Sequence, residues 1–161
     1  HRVATGAFDK TVRLWNVTTG EQLCELSVHN ACVNTIAFDS LGKRLYTGDG
    51  DGIIKELSCD VKHRRRQSQH GSIELAKVKD VSLRLLRSGA ELAGEPIAHM
   101  KVHPQGRKLI VLTKRSRLCA LDLKLFAVSH NYPGVLCGVH PLKLEISPCG
   151  IYILCGSEDG R

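Results

Sequence analysis

The sequence predicts an all-β fold assembled from a recurring unit of short strands. Its 161 residues include 15 glycines but one methionine and one tryptophan, a composition that favours many turns over long helices. Three segments, 41–48, 105–112 and 149–156, share one pattern in which a turn glycine precedes a strand and a second turn. Repetition of this kind indicates an array of similar units.

Each of these segments follows another short apolar stretch, at 33–38, 97–102 and 142–146. The connecting turns place serine or proline before glycine, as in residues 103–106, which read His-Pro-Gln-Gly. Proline and serine preset the bend, and glycine permits the positive φ that a tight turn needs. Each pair of stretches therefore predicts a β-hairpin.

Each unit also contains a third strand, and the distance between the matching turns before these strands gives the length of the unit. We place these strands at 11–15, 53–57 and 118–122. Asp9 and Asp51 stand in matching turns before the first two, and they are 42 positions apart. A period of about 40 to 45 residues with four short strands is typical of the blades of a β-propeller.

Three to four blades fit into the chain. The approximate units are 1–20, 21–60, 61–123 and 124–161, of which the first and last are partial blades. The chain begins at His1 without an initiator methionine and enters a strand-like segment almost at once, so we expect it to be part of a longer ring.

The first unit resembles the WD-repeat family over 3–16, which reads Val-Ala-Thr-Gly-Ala-Phe-Asp-Lys-Thr-Val-Arg-Leu-Trp-Asn, and over 19–21, which reads Thr-Gly-Glu. The resemblance implies a ring of seven blades, each held by hydrogen bonds among a histidine, a strand serine or threonine, a turn aspartate and a tryptophan. The residues at these places are Thr5, Asp9 and Trp15 in the first unit, His29, Thr47 and Asp51 in the second, and Asp159 near the end.

We assign these residues a structural role, because a buried aspartate is costly unless imidazole or indole N–H groups satisfy it. Acid–base chemistry by the histidine and aspartate is the alternative, but the turn spacing already explains both residues. The third unit departs from the pattern, with Arg115 in place of the aspartate and Leu121 in place of the tryptophan. We expect apolar packing to be the main force that holds this unit together.

An insertion separates the second unit from the third. Gly42 and Gly106 are 64 positions apart, whereas Gly106 and Gly150 are 44 apart. The additional residues fall near 60–95, where we expect a basic loop followed by one or two outer strands. A helix over 78–92 is the alternative.

The succession of features over 97–161 narrows the resemblance to jouberin-like WD-repeat scaffolds. The degenerate third unit is followed by Asn131 and Tyr132, by Ile-Ser-Pro-Cys-Gly at 146–150 and by Gly-Ser-Glu-Asp-Gly at 156–160. The resemblance implies a non-catalytic scaffold of a multiprotein complex at the ciliary transition zone and basal body, with a role in cilium assembly. It also implies an intracellular location and provides no catalytic residue or cofactor site.

The formal net charge of +7 suits an anionic partner. The candidate contact is a basic run made of Lys62, His63, Arg64, Arg65 and Arg66. Two interpretations stay open: a solvated loop, or a salt-sensitive contact with nucleic acid or anionic lipid. The scarcity of aromatic residues argues against nucleic acid, since stacking aromatics usually accompany base recognition.

Other kinds of chemistry find no support. The Asp-Gly-Asp-Gly stretch at 49–52 starts like a calcium loop but lacks the later ligands, and His29 and Cys32 lack a second pair that would complete a zinc site. No phosphate loop, nucleophile elbow or HExxH motif occurs, and no apolar run is long enough to span a membrane. We therefore expect no enzyme activity, no cofactor, no metal and no transmembrane segment.

Overall fold

A computed structural model describes residues 2–63 and 79–160. These residues form 13 β-strands, and no helix among them is long and apolar enough to cross a membrane. The strands are β1 Arg2–Gly6, β2 Thr11–Asn16, β3 Gln22–Ser27, β4 Val33–Phe38, β5 Arg44–Asp49, β6 Ile54–His63, β7 Lys79–Gly89, β8 Ile97–Val102, β9 Lys108–Thr113, β10 Leu118–Asp122, β11 Ala127–Tyr132, β12 Leu144–Ile146 and β13 Ile153–Cys155.

The strands make four antiparallel sheets, each connected in sequence order. The first sheet holds β1 to β3, the second β4 to β7, the third β8 to β11 and the fourth β12 and β13. Four-stranded meanders of this kind are the blades of a propeller. The predicted all-β fold, with four sheets arranged as parts of a propeller, is confirmed.

The sheets divide the chain at other points than the approximate sequence units. They span 2–27, 33–89, 97–132 and 144–155. The difference arises because each sequence unit was ended near the strand that we placed at 11–15 or 118–122, whereas the sheet has one more strand beyond it. These outer strands are β3 and β11, which begin after the unit limits at 20 and 123. A repeat drawn from turn glycines therefore ends before its sheet is complete.

The insertion lengthens the two outer strands of the second sheet. β6 and β7 pair from Ile54 opposite Gly89 to His63 opposite Lys79, with one shift of register between Glu56 and Leu57. A helix over 78–92 is thus wrong for residues 79–89. The physical reason is the alternation of side chains, since Val81 and Leu83 pack on the core while Ser82 between them is exposed.

Neighbouring sheets pack against each other through three apolar clusters. Val12 and Leu14 of the first sheet meet Leu45 and Leu57 of the second. Tyr46 and Ile54 of the second meet Ile97 and Leu109 of the third, and Ile110 and Leu112 of the third meet Leu144 and Ile146 of the fourth. The core therefore lies between the sheets, as it does between the blades of a propeller.

Close approach of the second and third sheets depends on Gly48. A Cβ at this position would lie 2.9 Å from Cγ2 of Ile97 and 3.1 Å from Sδ of Met100. A hydrogen bond of 3.1 Å from the Met100 N–H to Oγ1 of Thr35 joins the inner strands β8 and β4. The two sheets are thus held in one fixed arrangement by packing and by a buried polar contact.

Candidate functional site

A buried hydrogen-bond chain joins the loop before β4 to the turn after β5. Nδ1 of His29 lies 2.7 Å from Oδ2 of Asp49, and Nε2 lies 2.7 Å from Oγ1 of Thr47. A carboxylate can only accept, so Nδ1 of the neutral ring donates to Asp49 and Nε2 accepts from the Thr47 hydroxyl. All three residues are buried.

The order hydroxyl, imidazole, carboxylate is also that of a nucleophile activated by a base. Thr47 is 0% exposed and His29 is 4% exposed, so no substrate can reach the hydroxyl in this structure. The arrangement instead fixes the loop before β4 to the β5–β6 turn. This burial supports a structural role for the histidine and the aspartate.

The aspartate in this network is Asp49 and not Asp51. Oδ1 of Asp49 also accepts the N–H groups of Asp51 at 3.0 Å and Ile53 at 2.8 Å. Asp51 itself is exposed. Sequence reasoning missed Asp49 because it matched aspartates by turn spacing. The useful signal was strand alternation, which places Thr47 and Asp49 on one face of β5.

In the first sheet, the structure brings Thr5 and Trp15 together and leaves Asp9 apart. Nε1 of Trp15 donates to Oγ1 of Thr5 at 2.9 Å. Asp9 accepts the hydroxyl and N–H of Thr11 at 2.6 and 3.0 Å, and it pairs with Arg13 at 2.5 Å. Hydrogen bonds from Thr11 and Arg13 lower the pKa of Asp9 to about 2.

Asp9 and Asp51 nevertheless occupy equivalent backbone positions. Each precedes a residue with positive φ, 71° at Lys10 and 83° at Gly52. Each turn is also closed by the same backbone hydrogen bond, 3.1 Å in the first sheet and 3.2 Å in the second. The backbone conformation of the turn therefore repeats after 42 residues, whereas the hydrogen bonds made by the aspartate side chains differ between the two turns.

The third sheet contains a polar network that the sequence analysis missed. Thr113 takes the place of Asp49, and its Oγ1 accepts the N–H groups of Arg115 and Arg117, both at 3.3 Å. The Thr113 hydroxyl donates to Glu95 at 3.2 Å, and Arg117 pairs with Glu95 at 2.9 Å. Apolar packing is thus supplemented by an ion pair at the turn where Arg115 replaces the aspartate.

In the turn after β13, Asp159 precedes Gly160, whose φ is 81°. Its position matches those of Asp9 and Asp51. The neighbouring Glu158 accepts three backbone N–H groups through Oε1, from residues 138–140 at 2.8 to 2.9 Å. These hydrogen bonds lower the pKa of Glu158 and tie the loop before β12 to this turn.

Two residues of the predicted basic contact, Lys62 and His63, belong to the described part of the chain. The backbones of Lys62 and His63 are the last residues of β6, opposite Asp80 and Lys79. Arg64, Arg65 and Arg66 lie outside the described residues. The contact with an anionic partner stays a prediction.

A second buried cluster, also missed from the sequence, surrounds Glu56 at the other end of the second sheet. Glu56 is 0% exposed and pairs with Arg44, while Nε of Arg87 donates to it at 2.6 Å. The Tyr46 hydroxyl lies 3.5 Å from Glu56, and burial followed by the glutamate charge raises the pKa of Tyr46 to about 12. Arg44 and Arg87 stand 12 and 31 positions from Glu56, so no short motif reveals the cluster.

No group of three histidine, cysteine or acidic side chains in the described ranges is arranged to hold a metal ion. The buried polar side-chain atoms of that part of the chain all have hydrogen-bond partners. No orphaned donor or acceptor there marks a place for a cofactor.

We expect replacement of Asp49 by asparagine to destabilise the chain far more than replacement of Asp51. Asp49→Asn weakens three hydrogen bonds to a buried charge, at a cost of about 2 kcal/mol in the free energy of unfolding. Asp51→Asn changes an exposed side chain and should cost less than about 0.5 kcal/mol. Urea denaturation followed by circular dichroism measures both, and a larger loss for Asp51→Asn would contradict the assignment.

We also expect stability to decrease as the pH falls below 6.5. Burial lowers the pKa of His29 from 6.5 and outweighs the raising effect of Asp49, and burial also lowers the pKa of His99. Below pH 6.5 the unfolded chain then binds more protons than the folded chain, so the free energy of unfolding decreases as the pH falls. Above pH 6.5 this effect vanishes. Urea midpoints at several values of pH measure the effect.

Replacing His99 with glutamine should reduce this slope without removing it, because His29 still titrates. Stability that is constant through this window in the unaltered chain would contradict the burial of both neutral histidines. Carboxylates such as Asp9 and Glu158 do not interfere, since their lowered pKa values place their effect at more acid pH.

Comparison with known proteins accounts for this architecture. Residues 1–16 and 20–55 match the family described as WD domain, G-beta repeat. Over 98% of its length the chain is 32% identical to jouberin of Mus musculus and to jouberin of Rattus norvegicus, and it spans 15% of the length of each. It is 25% identical over 96% of its length to WD repeat-containing protein 44 of Xenopus laevis, of which it spans 16%.

The repeat match includes the Thr5–Trp15 hydrogen bond and the His29 network. The similarity to jouberin covers 98% of the chain and therefore includes the insertion and the altered third sheet. Together with the four antiparallel sheets, these matches identify the chain as a WD-repeat protein that resembles jouberin.

Proposed function

We propose that the chain is a non-catalytic protein-interaction scaffold, part of a jouberin-like component of the ciliary transition zone and basal body that contributes to cilium assembly. One observation carries the scaffold role: the hydroxyl, imidazole and carboxylate of Thr47, His29 and Asp49 are buried between strands, while large apolar side chains stand exposed on turns. Phe8, Leu41 and Leu125 are 89%, 74% and 75% exposed at the tips of three turns.

Stacked sheets hold their turns in fixed positions, and turns tolerate the sequence variation from which binding surfaces are made. Exposed apolar side chains on a rigid support are the usual anchors of protein interfaces, since their burial supplies binding energy at little cost in ordering. The similarity to jouberin supports the ciliary role. Because the chain spans 15% of jouberin, the partners of a whole protein of that kind are part of the proposal.

Affinity capture from ciliated cells, followed by mass spectrometry, tests the scaffold role. We expect the tagged chain to recover proteins of the ciliary base, and at least one of Phe8→Ser, Leu41→Ser and Leu125→Ser to reduce that recovery. Thr18→Ala, an exposed change in another turn, is the matched control. Recovery of no protein beyond that of the untagged sample would contradict the proposal.

The net charge of +7 and the basic run at 62–66 favour a second candidate, binding of nucleic acid or anionic lipid. Replacing Arg64, Arg65 and Arg66 with alanine separates the two. Capture of proteins that persists in this variant and at raised salt supports the scaffold. Salt-sensitive binding to duplex DNA or phosphatidylserine vesicles that disappears in the variant would support the alternative.

A further inference from the structure

A cleft opens between the second and third sheets, at the end that carries the β4–β5, β8–β9 and β10–β11 turns. Its volume of about 1170 Å³ exceeds the roughly 300–1,000 Å³ of a usual small-molecule pocket, and it is open to solvent. A cleft of this volume that is open to solvent has room for part of a polypeptide chain. The side chains that matter for its chemistry are Leu41, Arg44, Leu86, Arg87, Arg107 and Lys124.

The floor of the cleft is positively charged. Two guanidinium groups, of Arg44 and Arg87, share the single buried carboxylate of Glu56, so these three residues together carry one net positive charge. The side chains of Arg44 and Arg87 are 50% and 37% exposed. Within the described residues, Arg44 binds Glu56 through Nη1, and its other N–H donors are available to a ligand.

Contacts from both sheets fix the position of Arg87. Its Nη2 donates to the carbonyl oxygen of Leu123 at 2.6 Å, and its Nη1 donates to that of Lys124 at 3.1 Å. The guanidinium carbon also lies 4.8 Å from the centre of the Phe126 ring. The charged floor is therefore already in place before a ligand arrives, which lowers the entropic cost of binding.

The rim adds two exposed cations, Arg107 and Lys124, from the third sheet. Two acids also line the cleft, but each is engaged by its own turn. Oδ1 of Asp39 and Oδ1 of Asp122 each accept two backbone N–H groups at 2.8 to 3.0 Å. The groups left to bind a ligand are consequently the cationic ones.

Two leucines give the cleft an apolar component. Leu41 is 74% exposed and Leu86 is 37% exposed, and both belong to its lining. An exposed leucine next to fixed positive charge is suited to a ligand with both an apolar group and negative charges.

We propose that this cleft binds an acidic peptide segment of a partner protein. Carboxylates of the segment contact Arg44, Arg107 and Lys124, and an apolar side chain of the segment packs on Leu41 and Leu86. The inference rests on the proposed scaffold role and adds to it the location of one binding site and the chemistry of its partner.

A nucleic acid fits the same cleft poorly. Tyr46 is the aromatic residue in the lining and is only 3% exposed, so no ring is presented for a base to stack on.

Fluorescence anisotropy with a labelled peptide, Gly-Glu-Leu-Glu-Glu-Leu-Glu-Gly, tests the proposal on the purified chain. We expect the Arg107→Glu, Lys124→Glu double variant to bind on the order of tenfold more weakly, because two attractions become repulsions. Lys114→Glu, an exposed charge reversal in the β9–β10 turn at the other end of the sheet, should leave Kd unchanged. The same peptide with glutamine in place of glutamate should bind more weakly to the unaltered chain.

Absence of binding by the unaltered chain, equal weakening by Lys114→Glu, or tighter binding of duplex DNA that the double variant abolishes would each overturn the inference. Circular dichroism confirms that the variants keep the fold, since both altered side chains are exposed. If cellular partners are still captured equally by the double variant, the cleft assignment fails while the scaffold role stands. If nothing is captured at all, the scaffold role itself fails.

Discussion

Replacing Gly52 with alanine is expected to lower the free energy of unfolding by roughly 3 to 5 kcal/mol, through backbone strain and a steric clash together. Gly52 is buried and has a φ of 83° in the β5–β6 turn. A Cβ there would lie 1.9 Å from the carbonyl oxygen of Leu92 and 2.8 Å from that of Glu95. These are backbone atoms of the loop that leads into the third sheet, so the two sheets would have to separate. Chemical denaturation measures the loss.

Gly106→Ala is the matched control for this change. Gly106 has a φ of 70° in the β8–β9 turn, and a Cβ there would meet no atom within 4 Å. Only the strain of a left-handed backbone remains, at a cost of about 1 kcal/mol. Lys10 and Ser116, which occupy the position of Gly52 in the β1–β2 and β9–β10 turns, show that residues with a side chain can adopt this left-handed conformation in the chain. Equal losses for the two glycines would show that the loop at Leu92 does not lie against the turn.

Glu56→Ala is expected to destabilise the chain by about 3 kcal/mol, because it leaves the guanidinium groups of Arg44 and Arg87 without their shared anion. Both arginines are partly exposed and can regain water, which keeps the loss near the lower end for a broken buried pair. Arg87 should also lose its fixed position against Leu123, so the packing of the second and third sheets weakens. Urea denaturation gives the change in free energy.

Glu25→Ala is the control for that prediction. Glu25 pairs with Arg13 at 2.7 Å, but its side chain is 43% exposed. Exposed pairs contribute little, so the expected loss is less than about 1 kcal/mol. A loss from Glu56→Ala no larger than that from Glu25→Ala would contradict the buried cluster.

The sequence predicts the turns of the fold well, because turn geometry is a local property. Gly42, Gly106 and Gly150 have φ values of 65°, 70° and 74°, in the hairpin turns where glycine was expected to permit them. The hydrogen bond between Thr5 and Trp15 follows from the same local pattern, since both residues belong to adjacent strands of one hairpin.

The polar networks were harder to predict, because they join residues that are distant in sequence. Asp49 and Asp51 are close together at one turn, and the path of the loop that carries His29 decides which of them binds the imidazole. Glu56 and Arg87 meet because the insertion returns as β7 beside β6. The cationic cleft between the second and third sheets follows from that pairing, and no spacing of residues in the sequence predicts it.

The sequence of the insertion fits both a helical pattern and a strand pattern. The stretch 78–92 can be read with helical spacing, yet Val81, Leu83 and Leu85 alternate with polar residues as in a strand. Pairing with β6 favours the strand, since β6 would otherwise leave the N–H and C=O groups of its outer edge unpaired.

A crystal structure of the chain is the most direct test of the stacked sheets on which the scaffold role depends. It should show β4 to β7 and β8 to β11 as two antiparallel meanders, with Gly48 against Ile97 and the Met100 N–H bound to Thr35. A helix over 79–89, or a separation of Gly48 from Ile97, would contradict the arrangement from which the cleft and the exposed turns derive.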